Sequence, residues 1–273
     1  MEAGSLMAIV ASAPEITTGR PSEGGGHWYG RDGSCVYEIR GANGRMRPVT
    51  LRDARKLGLV PGVSSIVSME HRPMLVRWQI EQALMAALTL PRVDGETEDA
   101  LMERAQVDSQ RQAREAAERG TRIHAAIQGH FEGASCEAEF IPYVMGVVEW
   151  LAQRFGADGW EAECSFAHPL GFGGKSDLHH KTLPAVADFK CKDFPPEKQA
   201  TDLAYPEHCM QIAAYANGFR MARPNCLNVF VSTRVPGLIR VREWDQEEIE
   251  EGWEAFQCLL KLWQIRRSYR CAF

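Results

Sequence analysis

The chain has 273 residues, 45% of them apolar and 25% charged, with a formal net charge of −5 and an isoelectric point near 5.9. Such a composition fits a soluble intracellular enzyme with one sizeable core, or one core plus a helical subdomain, and the negative balance argues mildly against a passive nucleic-acid coat, whose affinity comes from phosphate neutralisation. No run approaches a membrane span, and residues 1–10 lack the basic region and long apolar stretch of a secretory leader, so a cytoplasmic location with no membrane partner is expected.

Residues 1–26 are small, Gly-rich and aperiodic, and read as a flexible N-terminal segment. Alternation over Cys35–Arg40, the Asn43-Gly44 turn signal and Arg45–Leu51 predict an added β-hairpin element within 27–59. Ser68–Leu90 reads as a helix with Pro73 in its first turn and an apolar stripe through Leu75, Trp78, Ala83 and Leu84, and Glu96–Phe131 as a longer one with a possible break at Gly120. These helices form an expected helical part, 60–135, that packs beside a core of 136–273. In that core Trp160–Phe166 reads as a strand whose alternation puts Glu161 and Glu163 on one face.

The most informative stretch is Gly171-Phe172-Gly173-Gly174-Lys175-Ser176-Asp177, followed by Asp188-Phe189-Lys190. Lys175–Leu178 and Ala185–Cys191 read as strands joined by a short hairpin loop, which sets Asp177 beside Asp188. Lys190 shares a face with Asp188, being two residues on. Two hard carboxylates suit Mg²⁺ or Mn²⁺, and a lysine beside the ion can orient water or offset charge in a phosphoryl transition state. In the loop, His179-His180 invites a metal reading, but neighbours on a strand face opposite sides, so both are expected to be solvated.

Pro206 opens a helix carrying Gln211 and Tyr215 one turn apart. Strands at Leu227–Ser232 and Leu238–Trp244 follow, and a last helix starts at Asp245 with Glu248 completing a capping box and Ile249, Trp253, Phe256, Leu260 and Trp263 on its apolar face. The reading is an α/β fold with a mixed central sheet flanked by helices. Charge is uneven: Glu243–Glu254 holds seven acids, whereas Gly171–Ala200 carries Lys175, Lys181, Lys190, Lys192 and Lys198, a basic track sufficient for DNA. The eight cysteines contain no C-x-x-C and are too scattered for zinc or an iron–sulfur cluster, so all are expected to be reduced, and neither cofactor is expected.

Taken in order, Gly120-Thr121-x-x-His124, Glu163, Gly-x-Asp177, Asp188-x-Lys190 and Gln211-x-x-x-Tyr215 resemble the RecB-type branch of the PD-(D/E)XK nuclease family, which includes phage exonucleases, the mitochondrial genome maintenance exonuclease and CRISPR-associated RecB-like exonucleases. The likeness spans roughly 60–265. It departs at Cys191, where such proteins usually carry a small hydroxyl residue. The resemblance implies a restriction-endonuclease-like core in which His124, Asp177, Asp188 and the Phe189 carbonyl hold one or two Mg²⁺ or Mn²⁺ ions and Lys190 is catalytic. It puts Glu163 at the rim, on a second metal or a metal-bound water. Gln211 and Tyr215 would orient Lys190 and contact DNA, with Lys175 and Lys192 also on the strand. The implied activity is exonucleolytic hydrolysis from DNA ends, in phage recombination alongside a single-strand annealing protein. The alternatives are a single-strand-specific nuclease and a catalytically silent DNA-end-binding module.

Overall fold

A computed structural model describes residues 16–17, 27–70 and 73–271. The expected flexible segment 1–26 lies outside them, apart from strand β1 (Ile16–Thr17). There follow β2 (Trp28–Tyr29), β3 (Glu38–Arg40), β4 (Met46–Pro48), α1 (Leu51–Leu57), β5 (Val60–Pro61) and α2 (Val63–Val67). The Asn43-Gly44 turn closes the β3–β4 hairpin, with Gly44 in the left-handed region, and β1 pairs antiparallel with β3. Helix α1 is started by a reciprocal cap between Thr50 and Asp53, whose carboxylate also binds Arg47.

The helical part consists of α3 (Pro73–Thr89), α4 (Glu98–Phe131) and α5 (Ile141–Phe155). Helix α4 runs unbroken through Gly120. A Cβ at that position would lie 3.2 Å from the Cys191 Cβ, so the glycine lets the helix approach the sheet closely. Only the C-terminal part of α4 buries side chains against the sheet, through Ile123 and Ile127. Helix α3 packs along α4, and its expected core-facing stripe is not found: Trp78 and Leu84 are exposed, as are Val76, Ile80 and Leu88, while the Leu75 side chain lies outside the described residues. A long hairpin of helices with one packed end leaves its other end without a second layer to bury against.

The core contains β6 (Trp160–Ala162), β7 (Ser165–His168), β8 (Phe172–Lys175), β9 (Leu178–His180), β10 (Ala185–Lys192), α6 (Ala200–Leu203), α7 (Pro206–Gly218), β11 (Asn225–Ser232), β12 (Ile239–Trp244) and α8 (Gln246–Arg266). Its five-stranded sheet has the order β12-β11-β10-β9-β6; β10 and β11 are parallel and the other pairs antiparallel. The protein is therefore mixed α/β, with a central mixed sheet between two helical layers. On one face Ala187, Phe189, Leu227, Val229 and Val231 meet α4 and α5; on the other Val186 and Cys226 meet α7, α8 and α2. Each of the larger apolar side chains contributes about 1.5–3 kcal/mol by leaving water. That is why β10 and β11 are near-continuous apolar runs, and why the few polar residues in them stand out. The Asp245–Glu248 capping box opens α8, which buries Ile249, Phe256, Leu260 and Trp263.

Two sequence expectations are corrected here. The strand over 160–166 is interrupted, because Glu163 takes a left-handed backbone (φ 57°), so Glu161 and Glu163 do not share a face. His179 and His180 lie in β9 rather than in the loop, and only His179 is part-exposed. His180 is buried, accepts from the Thr182 and Leu183 N–H groups at Nδ1, and lies 3.1 Å from the Asp158 carbonyl through Nε2, pinning the hairpin loop.

Candidate active site

The end of β10 opens into a cleft of about 640 Å³ between α4 and α7, lined by His124, Glu163, Lys175, Asp177, Asp188 and Lys190 among others. Asp177 reaches it from the break between β8 and β9, not from within a strand. Its Oδ2 accepts the Phe189 N–H at 2.6 Å and lies 3.1 Å from His124 Nε2. The glycines before it are packing requirements: a Cβ on Gly173 would meet the Tyr29 ring at 2.7 Å, and one on Gly174 would meet the Phe166 ring at 2.8 Å. Strand β8 can thus lie close against Tyr29 and Phe166 just before the turn that carries Asp177 to the cleft.

Asp188 is 2% exposed. Its Oδ2 accepts from Asn228 Nδ2 at 2.9 Å and pairs with Lys190 Nζ at 2.7 Å. Lys190 Nζ also donates to Gln211 Oε1 at 2.9 Å, and Gln211 Nε2 donates to Tyr215 Oη at 2.8 Å. Gln211 and Tyr215 therefore hold the lysine, but the Tyr215 ring is 5% exposed and set edge-on to Phe166, which leaves no face for a base to stack on. Glu163 meets Lys175 across the rim. Lys192 donates to the Leu203 carbonyl at 2.8 Å and lies over the Tyr205 ring.

Burial is the largest single influence on each of these groups, but neighbouring charges together reverse it at Asp177 and His124. It pushes Asp188 up to about 6, against the pull of Lys190 and with the help of Asp177. It also pushes Asp177 up, but there the charge and hydrogen bond of His124, with Lys190 and the Phe189 N–H, win and hold the carboxyl below its ordinary value. Burial alone would lower His124; Asp177, together with Asp188 and Glu163, outweighs it, and the imidazole is raised. Lys192 is lowered to about 8 by burial and then by Lys190. Widely separated values in neighbouring groups are a common mark of functional sites.

Sequence reading missed Asn228. It is fully buried, its register partner in β11 is Asp188, and its Oδ1 accepts from the Trp244 indole at 2.7 Å, which fixes the amide so that it donates to the carboxylate. The available signal was a single asparagine inside the apolar run Leu227-Asn228-Val229-Phe230.

Cis ligands on a divalent ion with bonds of about 2.1 Å stand about 3.0 Å apart, which the His124–Asp177 separation of 3.1 Å matches without rearrangement. Asp188 opens on the same cleft as His124 and Asp177. The donor set of two carboxylates and one imidazole suits Mg²⁺ or Mn²⁺.

No protein-family model matches the chain, and no curated protein does. Among solved structures it is similar to a protein of Eubacterium rectale named a putative exonuclease, at 12% identity and a TM-score of 0.40 over 55% of this chain and 68% of that one. It is also similar to a protein named SSO0001, at 14% identity and a TM-score of 0.31 over 69% of this chain and 88% of that one. Both likenesses are distant. Among the described residues, no helix is long and apolar enough to cross a membrane.

Proposed function

We propose that this chain is a metal-dependent deoxyribonuclease with a PD-(D/E)XK core of the RecB type, hydrolysing phosphodiester bonds from DNA ends. The observation that carries the reading is Lys190, held between Asp188 and Gln211 in an open cleft beside the Asp177–His124 pair. His124, Asp177, Asp188 and the Phe189 carbonyl would hold Mg²⁺ or Mn²⁺, which when bound supplies Lewis-acid polarisation of the scissile phosphate and a lowered pKa for water. Lys190 orients the attacking water and offsets charge on the phosphoryl oxygens, with its ammonium fixed by Gln211. Asn228 and Trp244 keep Asp188 aimed. Glu163 and Lys175 stand at the rim, and Lys175, Lys192 and Gln211 face the strand backbone; Tyr215 acts through Gln211.

The division into a hairpin element (27–59), a helical part carrying His124 (60–135) and a nuclease core (136–273), a cytoplasmic setting, and a phage recombination role beside a single-strand annealing protein belong to the same proposal and rest on the resemblance. The test is digestion of linear duplex labelled at its 5′ or 3′ end, against a covalently closed circle, with Mg²⁺, Mn²⁺ or EDTA. End-dependent release of nucleotides that EDTA stops is expected; digestion of the circle at the linear rate refutes the end requirement.

A further inference from the structure

The left-handed turn at Glu163 does more than aim that residue at the cleft. It leaves the next residue, Cys164, beside Glu161, which stands opposite His179 in the strand register. Among the described residues, Glu161, Cys164 and His179 are the group whose ligand atoms all lie within 4.8 Å of one another. The His179 ring is held in place by stacking on Phe219, with centroids 4.7 Å apart. Its Nδ1 is buried and has no hydrogen-bond partner. A buried polar atom left without a partner costs about 1–3 kcal/mol, so its persistence calls for a ligand.

We infer that Glu161, Cys164 and His179 form a second metal site, for a borderline cation of the Zn²⁺ class, separate from the oxygen-rich cleft. Thiolate and imidazole select Zn²⁺, Co²⁺ or Cu over Mg²⁺. Around a tetrahedral ion with bonds of about 2.0–2.3 Å, ligand atoms stand about 3.3–3.6 Å apart. Closing from within 4.8 Å needs roughly an ångström of side-chain rotation, which the exposed Glu161 and half-buried Cys164 can supply. Three protein ligands leave the fourth position to water. Binding replaces the thiol S–H bond by an S–metal bond and releases that proton to solvent. The absence of C-x-x-C spacing gave no hint of such a site, because its ligands come from a strand, a turn and the neighbouring strand. Lys181 is exposed and near enough to oppose a cation there. The site also ties the edge strands to the turn that sets Glu163 at the cleft, so an ion there stiffens that rim.

The experiment is titration of the metal-free full chain with Co²⁺, read by the thiolate-to-cobalt charge-transfer band in the near ultraviolet. One Co²⁺ with this band is expected, displaced by Zn²⁺ but not by excess Mg²⁺. The band is lost in Cys164→Ser and kept in Cys191→Ser and Asp188→Asn. His179→Ala should weaken Co²⁺ by at least about tenfold, since even outer-shell changes cost that much, and Lys181→Ala should tighten it. A parallel readout is alkylation of Cys164 in the unmutated protein, located by peptide mass, which Zn²⁺ should suppress. No thiolate band at saturating Co²⁺, a band that survives Cys164→Ser, or alkylation indifferent to Zn²⁺ overturns the proposal. None of these readouts requires nuclease activity, so they stand or fall independently of it.

Discussion

Asp188 must be ionised to bind a cation, yet burial lifts its carboxyl to about 6. Between pH 8 and pH 5 its ionised share falls from about 99% to about 9%, so Mn²⁺ affinity drops about tenfold, or about 1.4 kcal/mol, from this group alone. His124, raised by Asp177, must also be neutral to act as a ligand, and the fall therefore steepens beyond one decade per pH unit towards two. Calorimetric titration with Mn²⁺ at four pH values from 5 to 8 reads this directly, and His124→Ala should return the slope to that of one proton. In the metal-free protein the sign is reversed. Both groups have native values above their unfolded ones, so their contribution to stability is complete at low pH and is lost as pH rises, through about 6 for Asp188 and above 6.5 for His124. Asp177, whose value is lowered, acts oppositely and below that window. Mn²⁺ affinity that stays within twofold from pH 5 to 8 would refute the placing of Asp188 among the ligands.

Lys190→Ala should abolish cleavage while leaving Mn²⁺ affinity within a few-fold, because an ammonium is not a ligand; a large loss of affinity would mean that the lysine organises the carboxylates. Asn228→Leu leaves the Trp244 indole without its acceptor and removes a buried donor to Asp188, and should destabilise the fold by about 2–4 kcal/mol, read by urea unfolding. Tyr215→Phe removes the hydroxyl that accepts from Gln211 and should slow cleavage about three- to tenfold through a looser Lys190, with DNA affinity in Ca²⁺ unchanged; weaker DNA binding would instead assign the hydroxyl a direct contact to the strand. Gly174→Ala drives a methyl into the Phe166 ring and should cost about 1–3 kcal/mol of stability.

Much of this arrangement can be read in the sequence, because its signals are local. Strand runs at Ala185–Lys192 and Asn225–Ser232, the proline start of α7 and the capping box of α8 each follow from neighbouring residues. The spacing of Asp188 and Lys190 is fixed by strand periodicity, and the two do meet. What could not be read depends on contacts distant in sequence or on single backbone angles. The left-handed residue at Glu163 looks like any other position in an alternating run, yet it sends Glu161 and Glu163 to different sides. His180 reads as a loop residue because the carbonyl of Asp158 and the turn amides that bury it come from outside its strand. The apolar stripe of α3 suggests a core face, but helix periodicity does not say whether a second layer is there to cover it.

The most direct measurement is release of nucleotides from an end-labelled linear duplex by the wild-type chain, Asp188→Asn and Lys190→Ala, each with Mn²⁺ and with EDTA, with folding of every variant checked by circular dichroism. The account predicts release by the wild type in Mn²⁺ alone and none by either folded variant. Wild-type release that persists in EDTA, or full activity in Asp188→Asn or Lys190→Ala, would contradict it.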